Sequence, residues 1–122
     1  MRQLLIAIAL VVSPALAHAE GIVVLSITCA QTPVGPKVQG ELKNDTNRPL
    51  ELIKVTGSFR DREGKFINKG EGFVDFRPLM PGQISPFGFY GDRNPLITNV
   101  TAIISQMNAI VSSSGVQQSD CR

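Results

Sequence analysis

After residue 21, apolar and polar positions alternate with a period of two along most of the chain, the pattern of strands with one buried and one solvated face. Ile22 to Cys29 is β-branched and apolar, and the period places Val23, Leu25, Ile27 and Cys29 on one face. In the next segment Val38, Gly40 and Leu42 face inward, while Lys37, Gln39, Glu41 and Lys43 face out. Leu50 to Arg60 continues the pattern, with Ile53, Val55, Gly57 and Phe59 opposite Lys54, Thr56, Ser58 and Arg60. Further strands are predicted over Ile84 to Tyr90 and over Ile97 to Gln106, the latter with Val100, Ala102 and Ile104 on one side.

Turn chemistry separates these runs. Asn44 to Pro49 reads as a loop, because Asn and Asp bond their own backbone and Pro49 fixes φ. Asp61-Arg62-Glu63-Gly64 predicts a hairpin that pairs Arg60 with Lys65 and Phe59 with Phe66. Asn68 to Gly72 then interrupts the alternation as a bulge or loop before Phe73 to Phe76. Pro81 and Gly82 occupy the centre of a type II turn, and Gly91 to Pro95 forms a polar loop. Ala109-Ile110-Val111 either extends the preceding strand or adds one, and Ser112 to Gly115 is polar and of low complexity. All seven aromatics lie between Phe59 and Tyr90, which predicts a core fullest around the second hairpin. No stretch has the helical period. The expected fold is therefore all-β, an immunoglobulin-like β-sandwich of about six to seven short antiparallel strands.

The N-terminus carries a different signal. Met1-Arg2 is a short positive region, Leu4 to Val12 is apolar throughout, Ser13-Pro14 ends any helix, and Ala17-His18-Ala19 fits signal peptidase. Cleavage is expected between Ala19 and Glu20, and a retained membrane helix is the weaker reading, because the apolar run is far shorter than the roughly 20 residues needed to span a bilayer. A lipid anchor would need a Cys directly after the leader, and Cys29 lies ten residues past Ala19. The chain is thus read as residues 1–19, a cleaved signal peptide, and residues 20–122, a single domain exported to the periplasm or the cell exterior. That domain carries 11 basic and 10 acidic side chains, interspersed, which points away from nucleic acid and from stable membrane association.

Two cysteines, Cys29 and Cys121, sit near the two ends of the mature chain. In an oxidising compartment they are expected to pair, and closing a loop of about 90 residues is worth on the order of 4 to 5 kcal/mol in the chain-entropy model. A redox or metal-binding thiol is the competing reading; there is no C-x-x-C and no His to complete a ligand set.

From Val38 to Gln106 the order of signals resembles the FxLYD domain family. The motifs are Val38-Gln39-Gly40-Glu41-Leu42-Lys43-Asn44, Ser58-Phe59-Arg60-Asp61-Arg62-Glu63-Gly64-Lys65 and Leu79-Met80-Pro81-Gly82-Gln83-Ile84-Ser85-Pro86-Phe87. The resemblance implies a small β-sandwich module of exported bacterial and archaeal proteins, with no general activity attached. The chain departs from the family at Gly57 and Arg60, where an aromatic and a tyrosine are expected, and Gly57 leaves a hole that a neighbouring Phe could fill. Each motif position also has a structural role. Gly40 allows close approach of the opposing sheet, Asn44 caps a strand end, Asp61 accepts backbone N–H groups, and Gly64, like Gly82 after Pro81, permits unusual backbone angles.

Candidate chemistry is sparse. His18 is the sole histidine and leaves with the leader, which removes Ser-His-Asp and Cys-His nucleophiles from the mature chain. Cleavage after Ala17 would expose His18 at the N-terminus as in copper carriers, but these need a second His. Glu71 and Asp75 are expected to share one solvated strand face rather than act as an acid–base pair, and Asp45, Asp61 and Asp92 are read as turn formers rather than calcium ligands. No serine is singled out as partner to a lysine. Asn44-Asp45-Thr46 and Asn99-Val100-Thr101 are glycosylation sequons, relevant only in a eukaryotic host. No cofactor is implied. The expected function is a non-enzymatic module that binds a protein or envelope component, with Asn44 to Pro49, Asn68 to Gly72 and Gly91 to Asn94 as contact segments. A structural subunit joining an envelope assembly by strand addition is the alternative, and an enzyme comes third.

Overall fold

The computed structural model describes residues 21–107, 109–110 and 112–122; the leader and its cleavage site at Ala19 and Glu20 lie outside them. The chain forms an all-β sandwich. Among the described residues there are nine strands, β1 Ile22–Gln31, β2 Pro36–Asn44, β3 Ile53–Arg60, β4 Phe66–Phe73, β5 Ile84–Tyr90, β6 Asn99–Gln106, β7 Ala109–Ile110, β8 Ser113–Gly115 and β9 Gln118–Asp120. One sheet has the order β5-β2-β1-β8 and the other β4-β3-β6-β7, with β9 also paired to β6. The pairing is antiparallel except where β8 runs parallel to β1, which departs from the wholly antiparallel expectation. The strand count exceeds expectation because the C-terminal segment contributes three short strands.

In β3 the alternation is realised residue by residue: Ile53, Val55, Gly57 and Phe59 are buried and the residues between them are not. In β1 the expected inward face holds at Ile27 and Cys29 and fails at Val23 and Leu25. Val24 pairs with Leu42 and Ser26 with Glu41, so Leu25 is the extra residue of a β-bulge. The bulge shifts the parity: Ile22, Val24, Ile27 and Cys29 are buried, and Leu25 is 41% exposed. The strand expected from Leu50 begins instead at Ile53, because Leu52 adopts a left-handed conformation (φ 51°) and Leu50 pairs with Leu79 outside the sheets.

The second hairpin also differs in register. A bulge between Phe59 and Arg60 sets Arg60 opposite Phe66 and Phe59 opposite Asn68, so the two aromatics do not face each other. Residues 68–72 are neither bulge nor loop but the middle of β4, and Val74–Phe76 lie beyond the strand. The glycines there serve packing. The Phe89 ring, reaching across from the other sheet, lies against Gly57 and Gly70, where an added Cβ would sit 2.7 Å and 3.0 Å from ring atoms; its Cβ stands against Gly72. Phe89 is thus the residue that fills the hole left by Gly57, and its ring meets Phe59 edge-on at 6.4 Å. The core is nonetheless mostly aliphatic. Only Phe59, Phe87 and Phe89 of the aromatics are buried, and β1 contributes Ile22, Val24, Ile27 and Cys29, so the core is not concentrated at the second hairpin.

Candidate binding surface at the cystine end

Cys29 and Cys121 form a disulfide, with Cα atoms 4.5 Å apart. The bond lies near one end of the sandwich. The 32–35 loop between β1 and β2, the 61–65 turn between β3 and β4, the 91–98 loop between β5 and β6, and the C-terminal residues all gather there. Arg122 is bonded to β1 twice, donating its N–H to the Cys29 carbonyl (3.2 Å) and accepting from the Gln31 N–H (2.7 Å).

Each loop at this end is braced by local chemistry and tied to its neighbour. The Thr32 hydroxyl donates to the Gly35 carbonyl at 2.7 Å, closing the first loop on itself. The Gly91 N–H donates to the Pro36 carbonyl at 2.9 Å, joining first loop to third. The Asn94 side-chain oxygen accepts from the Leu96 N–H (2.9 Å), and the Gln31 amide donates to the Ile97 carbonyl (3.1 Å). The Asn68 amide reads Asp92 through both backbone groups, donating to its carbonyl and accepting from its N–H at 3.2 Å each. In the hairpin turn the Asp61 carboxylate accepts from the N–H groups of Glu63 and Lys65, both at 2.9 Å, and Gly64 adopts φ 83°, as its sequence position requires.

Between these loops the surface is concave. A shallow cleft of about 450 Å³ is lined by Gln31, Thr32, Pro33, Arg93, Asn94 and Pro95. On the other side of Pro95 a second hollow of about 330 Å³ runs from Asp61 to Glu63 and to Leu96 and Thr98. Two apolar side chains stand out at the loop tips, Val34 at 71% exposure and Leu96 at 64%. Around them acidic and basic groups alternate, among them Arg62, Glu63, Asp92 and Arg93, so the surface carries no single sign.

The remaining sequence-predicted positions lie elsewhere. Asn44, Pro81 and Gly82 meet at the opposite end, where Asn44 is fully buried. Its amide donates to the carbonyls of Arg48 and Leu79, both at 2.8 Å, and its oxygen accepts from the Thr46 N–H and hydroxyl. Its backbone also bonds Gly82 and Gln83, so the loop at 44–49 and the type II turn (Gly82 φ 79°) are one unit. With its amide nitrogen so engaged, Asn44 has no free acceptor for a glycan. Gly40 faces inward mid-sheet, but the neighbour that needs its space is the Phe87 ring of the adjacent strand and the Ser26 carbonyl, not the opposing sheet.

Of the three expected contact segments, 44–49 and 91–94 lie at opposite ends and 68–72 is a strand, so the fold brings no two together apart from the Asn68–Asp92 bonds. The brace at Thr32 escaped the sequence reading, although Thr32-Pro33-Val34-Gly35 carries the turn residues that announce it. Glu71 faces Lys54 in a 3.8 Å ion pair on the outer face of β3 and β4, whereas Asp75 lies beyond the strand, so the two carboxylates are not on one strand face as expected. Among the described residues no group of three or more His, Cys, Asp or Glu is placed to hold a metal, and no helix is long and apolar enough to cross a membrane. In comparison with known proteins, no family model matches the chain, and neither a curated protein nor a solved structure does.

Proposed function

We propose that the protein is a non-enzymatic, exported binding module that engages a protein or envelope component through its cystine end. The observation that carries this reading is the display of Val34 and Leu96 on loops already held in place by the disulfide and by hydrogen bonds, around a shallow cleft. A surface ordered before contact loses little entropy on binding, which favours affinity. The disulfide supports an oxidising compartment, in keeping with the leader at residues 1–19. The same reading includes a kinship with FxLYD domains, supported by the motifs between Val38 and Gln106, and an immunoglobulin-like topology, supported by the pattern of short strands and turns.

Recruitment as a structural subunit by strand addition has less support. The outer edges of β4 and β5 face each other, and the C-terminal segment covers β1 and β6. The test is immobilised protein exposed to envelope extract of the source cells, beside a Val34→Asp/Leu96→Asp double variant. A partner retained by the parent and lost by the variant is the expected result; equal retention by both would move the interface elsewhere.

A further inference from the structure

The C-terminal segment alternates between the two sheets. β7 pairs with β6, β8 with β1, β9 with β6 again, and Cys121 bridges to Cys29 of β1. Along this path it covers the outer edge of β1 at residues 22–24 and 29–31, and that of β6 at residues 99–102. Its hold is almost wholly polar. The Val116 N–H donates to Val24 (2.9 Å), the Ala102 N–H to Gln117 (2.8 Å) and the Cys121 N–H to Thr98 (2.9 Å). None of residues 112–122 is buried, and the one side chain among them that packs on the core is Cys121. Among the described residues, the buried apolar side chains of the core all lie between Ile22 and Ile104.

Backbone hydrogen bonds to the segment are exchanged for bonds to water at little net gain, whereas ordering eleven residues costs conformational entropy. The covalent bond decides the balance.

We infer that the Cys29–Cys121 disulfide is a redox latch, whose reduction frees residues 112–122 and bares the pairing edges of β1 and β6 while the six-strand core stays folded. The reductant is a dithiol, of the class carried by thiol–disulfide oxidoreductases. Its thiolate attacks Sγ of Cys121, the more exposed partner, forming a mixed disulfide and expelling Cys29 as thiolate. The second thiol of the reductant then attacks the mixed disulfide and releases Cys121. Both cysteines end as thiols, and the dithiol, having given up two electrons, ends as its own disulfide.

Hydrogen–deuterium exchange of the full chain tests this, with oxidised protein, protein reduced by dithiothreitol, and a Cys29→Ser/Cys121→Ser variant compared. The expected result is acceleration of the Gln31, Ala102 and Val116 amides by at least about a hundredfold on reduction, with the amides of β2 and β3 still protected and accelerated at least about tenfold less. The double variant behaves as the reduced protein. Unchanged protection at all three tail-facing amides overturns the inference, because the segment then holds without the bond. Loss of protection throughout β2 and β3 overturns it equally, because the bond is then a staple of the whole fold.

Discussion

Asn44 ties the end of β2 both to the loop that follows it and to Leu79, 35 residues on, and its removal is therefore informative. Its amide donates to Arg48 and Leu79, and its oxygen serves Thr46, all at a site with no solvent exposure. In Asn44→Ala these groups do not all become orphans. The Leu79 carbonyl still accepts from the Leu50 N–H (2.9 Å) and the Arg48 carbonyl from the Thr46 hydroxyl (3.0 Å). The loss is thus smaller than four separate bonds and is set by one cavity and partial desolvation of the Thr46 N–H, about 2 to 4 kcal/mol. Asn44→Asp makes the charge argument. A carboxylate there would face two carbonyl oxygens in a dry site, which raises its folded-state pKa above the unfolded value. The folded state then binds the proton more tightly, so the variant is most stable at acidic pH and loses stability as pH rises from the unfolded pKa to the folded one. Urea denaturation followed by far-ultraviolet circular dichroism, suited to a chain without Trp, reads both effects through the midpoint at constant slope. An Asn44→Ala variant within about 0.5 kcal/mol of the parent would refute the reasoning, since surface changes alone reach that size.

Three further outcomes are expected. Gly57→Ala places a methyl group against the Phe89 ring and costs about 1 to 3 kcal/mol by overpacking; Phe89→Leu in the same chain relieves part of that cost, and strict additivity in the double-mutant cycle would argue that the two do not touch. Asp61→Ala removes the carboxylate that orders the exposed hairpin turn and costs about 1 kcal/mol, with Asp61→Asn closer to the parent, in thermal unfolding. Reduction of the disulfide lowers global stability by less than the roughly 4 to 5 kcal/mol of the chain-entropy model, because the freed native tail regains part of the entropy that the unfolded chain gains; a larger loss, measured by denaturant midpoints with and without dithiothreitol, would contradict this.

The parts of the fold legible in the sequence are those decided by local chemistry. β3 could be read to the residue because every inward position is apolar or glycine and every outward one polar. The turns at Asp61-Gly64 and Pro81-Gly82 were equally plain, since the bonds that define them, Gly64 N–H to Asp61 and Gln83 N–H to Met80, close within the turn. β1 could not be read in the same way: from Ile22 to Leu25 every side chain is apolar, so the period carries no parity, and the bulge at Leu25 leaves no mark. Residues 68–72 read as a bulge or loop because Gly70 and Gly72 are strand breakers in isolation, whereas here they make room for the backbone of β5 and for its Phe89, in another sheet. The candidate surface shows the same division. The Asp61–Gly64 turn and the Gly91–Pro95 loop were visible one by one, as was the pairing of Cys29 with Cys121, whereas the loop at 32–35 was not; which loops share an end follows from sheet order and from two long-range bonds, Asn68 to Asp92 and Gln31 to Ile97.

The central claim is that this protein binds through its cystine end, and site-specific photocrosslinking in the source cells addresses it most directly. A photoreactive phenylalanine analogue is placed at Val34, at Leu96 and, as a control on the outer sheet face, at Gln39. The account expects the same discrete crosslinked product from positions 34 and 96 and none from position 39. Crosslinks from position 39 alone would place the interface on the sheet face and contradict it, and so would their absence from all three positions.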